Sequence, residues 1–160
     1  MEIATGGYES VWDYPRPPRV ERVHIRLRVV FERETIADTT SAYRILETSH
    51  PPTYYFPPPD VSHVALKPVQ KTSFCEFKGV AEYLTLSIGD RVSLRAAWRY
   101  PAPSPAFSVL ASYISFYPSR VDDCFVGAEK AVAQPGDFYG GWITPNILGP
   151  FKGGPGSKGW

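Results

Sequence analysis

Residues 72–97, TSFCEFKGVAEYLTLSIGDRVSLRAA, contain the pattern that decides the fold. Apolar and polar side chains alternate over residues 80–88 and again over residues 91–97, which is typical of half-buried strands. The dipeptide Gly89-Asp90 between the two runs favours a two-residue hairpin turn of type I′ or II′. This stretch therefore predicts an antiparallel hairpin.

The upstream chain contains the same alternation. Apolar side chains occupy every second position from Val23 to Val29, and His24 and two arginines fill the positions between them. This pattern predicts a strand whose polar face, including His24, is solvated. The polar residues 32–35 then predict a turn into a hairpin return, and residues 42–47 predict a further short strand.

One helix is predicted, within residues 106–117. Its apolar side chains fall at three- and four-residue spacing, Ser104 precedes it as an N-cap, and Pro105 would occupy its first position. Residues 121–126 predict a last strand. The sequence therefore predicts a mainly β fold with one helix.

Composition limits the classes of protein that this chain can belong to. With 160 residues, 43% of them hydrophobic, the chain can bury the core of one domain. A formal charge of +1 gives no overall attraction to nucleic acid polymers or anionic membranes. The N-terminus lacks a basic region followed by an apolar run, and no stretch has the roughly 18 apolar residues of a membrane span. Two cysteines, Cys75 and Cys124, favour a reducing compartment, so we expect a cytoplasmic protein.

Three parts follow from the distribution of proline and glycine. Residues 1–21 contain WDYPRPP and predict an extended arm, since proline fixes φ. Residues 22–126 hold the predicted strands and form the domain. Residues 127–160 are rich in glycine and proline, and predict a tail that wraps another surface. We expect the aromatic residues of the arm to pack on their own domain, with docking on a neighbour as the alternative.

Three sequence blocks resemble a known family. They are PTYYFP at residues 52–57 with Asp60-Val61, TSFCEFKGVAEY at 72–83, and AWRYP at 97–101. Their order and spacing are similar to those of the domain of unknown function 427 family. The WDYPRPP arm and the GPFKGGPG tail at residues 149–156 look like those of its longer members.

This resemblance implies a β-tent, in which two antiparallel sheets meet at an apex, as in the ligand-binding domain of cereblon and in methionine sulfoxide reductase B. Many similar proteins hold zinc with four cysteines, which two cysteines cannot supply, so we expect no metal and no cofactor. The family pattern places proline after the cysteine, where this chain has Glu76. That difference weakens the transfer of a cysteine-centred mechanism.

The family also has a nucleotidyltransferase-like label. Nucleotidyl transfer needs clustered carboxylates that hold metal ions against phosphates. The adjacent pair Asp122-Asp123 would point to opposite faces of a strand, and the sequence has no Gly-Lys-Ser/Thr loop. These observations argue against the label, and the sequence leaves open whether the protein is an enzyme.

The first hypothesis for function is a binding module for a nucleotide-like or cyclic-amide small molecule. Aromatic side chains would form the pocket walls and a few polar groups would orient the ligand. In this hypothesis Lys78 contacts a phosphate or carboxylate and Trp98 stacks on a ring. The candidate ligand-binding residues are Tyr54, Tyr55, Asp60, Thr72, Cys75, Lys78, Tyr83, Trp98 and Tyr100, with Glu82 as a further polar group.

Two alternatives remain. In the second hypothesis Cys75 is a catalytic nucleophile, its thiolate favoured by Lys78, with Asp60 or His63 assisting proton transfer. A buried, inert thiol is the simpler interpretation of Cys75. In the third hypothesis the arm and tail hold a protein partner or a second copy of the chain as a homodimer.

Overall fold

Most segments in which apolar and polar side chains alternate form strands, because this alternation lets a sheet bury one of its faces. The structure is a computed structural model that describes residues 7–75, 77–136, 138–154, 156, 157 and 160. The first strands are β1 (Glu9–Ser10), β2 (Arg19–Val23), β3 (Leu27–Phe31), β4 (Glu34–Thr39), β5 (Ala42–Leu46), β6 (Thr53–Tyr55) and β7 (Leu66–Cys75). The others are β8 (Gly79–Ile88), β9 (Arg91–Arg99), β10 (Ile114–Phe116), β11 (Asp123–Val126), β12 (Glu129–Lys130), β13 (Val132–Ala133), β14 (Trp142–Ile143) and β15 (Ile147–Leu148).

These strands form several sheets. Two have four strands, in the orders β10-β9-β8-β7 and β12-β11-β3-β4, and a third has the order β2-β5-β6. All neighbours in these three sheets are antiparallel. The prediction of a mainly β fold is confirmed, and the sheets are consistent with the β-tent that the resemblance implies.

The hairpins predicted from the turn residues are present. β8 and β9 pair up to Ile88 and Arg91, leaving Gly89 and Asp90 as the two-residue loop. Gly89 has a φ of 58°, the positive value that glycine adopts without steric cost at the first position of a type II′ turn. β3 and β4 are joined by Glu32 and Arg33, so this hairpin also follows the prediction.

The predicted helix is shorter than residues 106–117. It is a 3-10 segment, Pro105–Leu110, with a non-helical Phe107. Ile114–Phe116 leaves the helical path and pairs with β9, because the sheet edge offers these residues backbone hydrogen bonds. Other 3-10 segments within the described residues are Val11–Asp13, Pro58–Asp60, His63–Ala65 and Pro118–Arg120. No helix in the described part of the chain has the length and apolar character needed to span a membrane.

Buried apolar side chains form three clusters. The main core joins β3, β4 and β11 to β8–β10, and its largest side chain is Trp142 from β14. A second cluster, rich in aromatic residues, lies where β8 and β9 face β5 and β6. A third joins Val11 and Tyr14 of the arm to Leu46 and Ile147. Residues before and after the central sheets therefore belong to the packed interior.

The arm and the tail also contact each other. β1 pairs in parallel with β15, and Trp12 Nε1 donates a hydrogen bond to the carbonyl oxygen of Pro150 at 2.9 Å. The rings of Trp12 and Trp160 lie 5.1 Å apart. The division of the chain at residues 21 and 126 stays a prediction.

Candidate functional site

A cavity of about 270 Å³ opens beside the second, aromatic cluster. β7, β8 and β9 supply one wall, and the end of β5 with the following segment to β6 supplies another. A third wall comes from the tail, through residues that include Gln134, Tyr139 and Lys152. Three parts of the chain, separated by dozens of residues, therefore build one concave site.

Six of the predicted site residues line this cavity: Tyr55, Cys75, Lys78, Tyr83, Trp98 and Tyr100. Strand alternation explains the contribution of β8. Ala81 and Tyr83 lie on one face of the strand and are buried, whereas Val80 lies on the opposite face and is exposed. Tyr83 and Trp98 lie directly opposite each other on β8 and β9, so their rings form a continuous wall.

Tyr54 lies elsewhere. It is fully buried in the main core, with its ring 5.0 Å from that of Trp142. Tyr54 and Tyr55 are consecutive residues of β6, so their side chains must point to opposite faces. Only Tyr55 can therefore reach the cavity.

Asp60 and Thr72 also lie away from the cavity lining. Asp60 accepts a hydrogen bond from Thr39 Oγ1 at 2.7 Å and thereby joins a 3-10 segment to β4. Thr72 is exposed on β7, opposite Glu82, whose carboxylate accepts a hydrogen bond from Arg99 Nε at 2.7 Å. Asp60 and Glu82 thus both have hydrogen-bond partners within the protein.

His63, the other proposed proton acceptor, is exposed. Its Nε2 lies 2.7 Å from the carbonyl oxygen of Pro58. Neither Asp60 nor His63 lines the cavity with Cys75, so neither is placed to assist proton transfer there.

Cys75 and Lys78 line the same cavity because the chain turns between β7 and β8. An uninterrupted strand would send them to opposite faces, whereas residues 77 and 78 form a turn. The turn is fixed by Ser104, whose backbone N–H donates to the carbonyl of Lys78 at 3.0 Å and whose hydroxyl donates to that of Phe77. Gly79, with a φ of 109°, completes it. Glu76, which occupies the family's proline position, lies outside the described residues.

Lys78 is the most deeply placed cation of the cavity. Its side chain is 12% exposed, and its Nζ lies 3.8 Å from Glu47 Oε1. Burial favours the neutral amine, but the nearby Tyr55, Cys75 and Glu47 outweigh it, so the pKa of Lys78 lies above its ordinary value. Lys78 therefore presents an ammonium ion to the cavity.

Tyrosine hydroxyls line the same cavity as Lys78. Trp98 Nε1 donates to Tyr55 Oη at 3.3 Å, and Ser73 Oγ lies 2.9 Å from Tyr83 Oη. Burial raises the pKa of Tyr100 far above its usual range, and it also raises that of Tyr117. These two phenols consequently remain protonated and can donate a hydrogen bond.

His50 is held as a neutral imidazole at the edge of the cavity. Burial lowers its pKa to about 4. Gln134 Oε1 accepts from the backbone N–H of Gly141, so Gln134 Nε2 is the atom that donates to His50 Nδ1 at 3.1 Å. The proton of His50 is therefore on Nε2, which lies 4.0 Å from Glu47 Oε2.

The tail packs closely over this site. A Cβ atom on Gly140 would clash with Cη2 of Trp98, so only glycine lets the tail approach the ring this closely. Lys152 Nζ donates to the carbonyl oxygen of Trp160 at 2.9 Å, and it lies 5.9 Å from the ring centre of Tyr139. The tail thus adds a second cation and a further aromatic ring to the wall.

Sequence reasoning missed Glu47, His50, Tyr117, Gln134, Tyr139 and Lys152. Most of these residues belong to short or irregular segments in which no periodicity marks the buried face, and Tyr117 was assigned to the predicted helix over residues 106–117. The one usable signal was the run His50-Pro51-Pro52 at the start of a stiff aromatic loop. Within the described residues, no group of three His, Cys, Asp or Glu side chains is arranged to hold a metal ion.

Comparison with curated proteins finds no match to this chain. A family profile described as a domain of unknown function, DUF427, matches residues 19–127, which is more than half of the chain. The matched segment includes every strand from β2 to β11, and with them the aromatic wall and Lys78. The chain therefore belongs to the domain of unknown function 427 family.

Proposed function

We propose that this protein binds a small molecule with a planar ring, nucleotide-like or a cyclic amide, in the cavity between the sheet and the tail. The observation that carries the proposal is the composition of the cavity: flat aromatic side chains form its walls, and a few polar groups converge on it. Ligand sites are typically concave and apolar with a small number of placed polar groups. Tyr55, Trp98 and Tyr100 supply flat surfaces, and Lys78 supplies a charge.

The polar groups suit a ring that carries hydrogen-bonding atoms. Tyr100 and Tyr117 remain protonated and can donate to a ring nitrogen or carbonyl oxygen. Glu47 can accept from a ring N–H. A cyclic amide or a nucleobase presents both kinds of group on one edge.

The test is a thermal-shift screen of nucleobases, nucleosides, nucleotides and cyclic imides against the wild type and two variants. Ala81→Leu places a larger side chain in the cavity, whereas Val80→Leu changes the adjacent, exposed residue of β8. A ligand that binds only the folded state raises its stability by roughly 2.7 kcal/mol at a hundredfold excess over the dissociation constant. We expect this shift in the wild type and in Val80→Leu, and its loss in Ala81→Leu.

Each variant's shift is measured against its own unliganded melting temperature, after circular dichroism has shown that it folds. A second readout uses the wild type alone: the indole N–H resonances of Trp98 and Trp142 report the cavity and the main core separately. Binding that is unchanged in Ala81→Leu, or that moves Trp142 and not Trp98, would contradict the proposal. So would a screen in which no compound shifts the melting temperature.

A second candidate function is covalent chemistry at Cys75. The observation that favours it is that Cys75 is partly exposed and lines the cavity with Lys78, whereas Cys124 is buried and its pKa is raised by burial. An alkylation time course with iodoacetamide separates the two thiols, with Cys124 as the internal control. If Cys75 in the folded protein reacts no faster than a thiol in an unstructured peptide, an activated nucleophile is excluded.

The third hypothesis, a partner or second copy held by the arm and tail, has less support because these segments already bind each other. Sedimentation of the full chain and of a chain lacking residues 1–21 would detect a homodimer that depends on the arm. We further propose that the protein acts in the cytoplasm, because a chain with two cysteines is compatible with a reducing compartment.

A further inference from the structure

We propose that the ligand is a compact planar acid, and that Lys78 binds its anionic oxygen. This inference rests on the proposed function, since it names the chemical class of the molecule that would occupy the cavity. The shared chemistry is a carboxylate or a single phosphate attached to one or two rings.

The first argument is that the ammonium of Lys78 lacks an acceptor. Its partner oxygen on Glu47 lies 3.8 Å away, whereas hydrogen bonds between ammonium and carboxylate groups are about 2.7–2.9 Å long. Within the described residues, no acceptor lies within hydrogen-bonding distance of Lys78 Nζ. An ammonium has three donors, and burying them without acceptors costs free energy. A ligand oxygen would satisfy them.

The neighbouring cations Lys152 and Arg16, unlike Lys78, each donate a hydrogen bond to an acceptor on the protein. Lys152 donates to the carbonyl oxygen of Trp160 at 2.9 Å, and Arg16 donates to that of Thr48 at 3.2 Å. The side chain of Arg16 is 44% exposed, so water also reaches it. Lys78 therefore combines burial, a position on the cavity and an unused set of donors.

The second argument is the charge balance of the cavity. Lys78 and Lys152 carry two positive charges, and Glu47 carries one negative charge. His50 adds none, because it is neutral above its pKa of about 4. Arg16 approaches Glu47 to 4.0 Å from outside and draws on the same carboxylate. The cavity and its surroundings therefore hold more positive than negative side chains, which favours an anion over a neutral molecule.

The third argument is size. The cavity has a volume of about 270 Å³. Ligand pockets generally span about 300–1,000 Å³, so this one lies at their lower end. A one- or two-ring acid fits these dimensions better than a nucleoside triphosphate.

The test compares acids with neutral molecules of the same shape. Calorimetric titrations of the full chain use benzoate against benzamide, 1-naphthoate against 1-naphthamide, and phenyl phosphate as the phosphate arm. The variant Lys78→Met removes the charge and keeps the length of the side chain. The matched control Lys67→Met changes an exposed lysine on β7.

We expect the wild type and Lys67→Met to bind at least one acid tenfold or more tightly than its amide, and Lys78→Met to lose that preference. The comparison of acid with amide in the wild type decides the question even if Lys78→Met fails to fold. Lys78-dependent binding of phenyl phosphate alone would support the inference and identify the acid as a phosphate monoester.

Three results would overturn the inference. The first is equal binding of an acid and its amide by the wild type, which would leave the proposed function standing. The second is an acid preference that survives in Lys78→Met. If none of the acids binds at millimolar concentration, the inference also fails, and the separate screen of ring compounds decides the proposed function.

Discussion

Two buried cations of this protein have opposite surroundings. Arg44 on β5 is 1% exposed, and its guanidinium donates to Glu9 at 3.0 and 3.1 Å and to Glu21 at 2.9 Å. Lys78 is 12% exposed and has one carboxylate at 3.8 Å. Burial of a charge therefore does not by itself mark a functional residue. The difference is that the described residues place acceptors at hydrogen-bonding distance from Arg44, and none at that distance from Lys78 Nζ.

The geometry of the two side chains fits these two roles. The planar guanidinium of Arg44 presents a fixed fork of donors that matches two carboxylates, and it links the arm residue Glu9 to β2 and β5. The ammonium of Lys78 follows a turn and faces a cavity rather than a neighbouring strand. We infer that the Arg44 cluster fixes the fold and that Lys78 is reserved for binding.

The largest effect is expected at the Arg44 cluster. Replacing Arg44 by Met removes the cation that pairs with the largely buried carboxylate of Glu9, and breaking such a pair typically costs about 3–5 kcal/mol. Urea unfolding monitored by tryptophan fluorescence measures the loss. The matched control is Arg26→Met, which breaks an exposed pair with Asp38.

The control should change the free energy of unfolding far less than Arg44→Met does, since exposed pairs contribute little. A small cost at Arg44 would mean that the arm can release its charged residues to water. In that case the contrast between a closed cluster and an open site would not hold.

The next largest effect is the pH dependence of stability that His50 causes. The pKa of His50 is lowered from its model-compound value of 6.5 to about 4, so the unfolded chain binds more protons between these two pH values. This contribution to stability is present above about pH 6.5 and is lost as the pH falls towards 4. It amounts to about 3 kcal/mol at most, at 1.36 kcal/mol per pKa unit.

Urea midpoints measured at pH 7 and at pH 4.5 test this prediction in the wild type, in His50→Phe and in His24→Phe. His50→Phe keeps an aromatic ring beside Tyr139 but cannot titrate, so its acid-dependent loss should be smaller than that of the wild type. His24 is exposed, and its replacement should leave the loss unchanged. Equal losses in all three proteins would show that His50 is not buried as a neutral base.

The smallest effect on stability is expected at Lys78 itself. Lys78→Met removes an ammonium without hydrogen-bond partners among the described residues, so the free energy of unfolding should stay constant or rise by about 1 kcal/mol. Thermal unfolding without ligand measures this change. A loss comparable to that of Arg44→Met would assign Lys78 a structural role and remove the contrast between the two cations.

Local patterns predicted the strands but not the end of the helix. Alternation over residues 80–88 and the Gly89-Asp90 turn depend on neighbouring residues alone, so the β8–β9 hairpin was predictable. The apolar spacing of residues 106–117 fitted a helix equally well. Ile114 and its neighbours instead joined β9, because the free edge of that sheet outweighed a weak local preference.

Some residues of the candidate site could be predicted from the sequence and others could not. Tyr55, Tyr83, Trp98 and Lys78 were identifiable as aromatic and charged residues near predicted strands. The sequence could not choose between Tyr54 and Tyr55, because that choice depends on which face of β6 meets the main core. Nor could it place Gln134, whose hydrogen bond to His50 crosses 84 residues, or Lys152, whose position depends on the path of an irregular tail.

Short-range patterns predicted the mainly β class, the principal hairpins and the family, because alternation, turn residues and the three sequence blocks are properties of short segments. Tertiary structure alone decided that Arg44 is saturated by Glu9 and Glu21 while Lys78 is not. The partners of a buried charge come from distant segments, and the free energy of placing them depends on the dielectric surroundings and on interatomic distances. Those quantities exist only once the sheets, the arm and the tail have packed together.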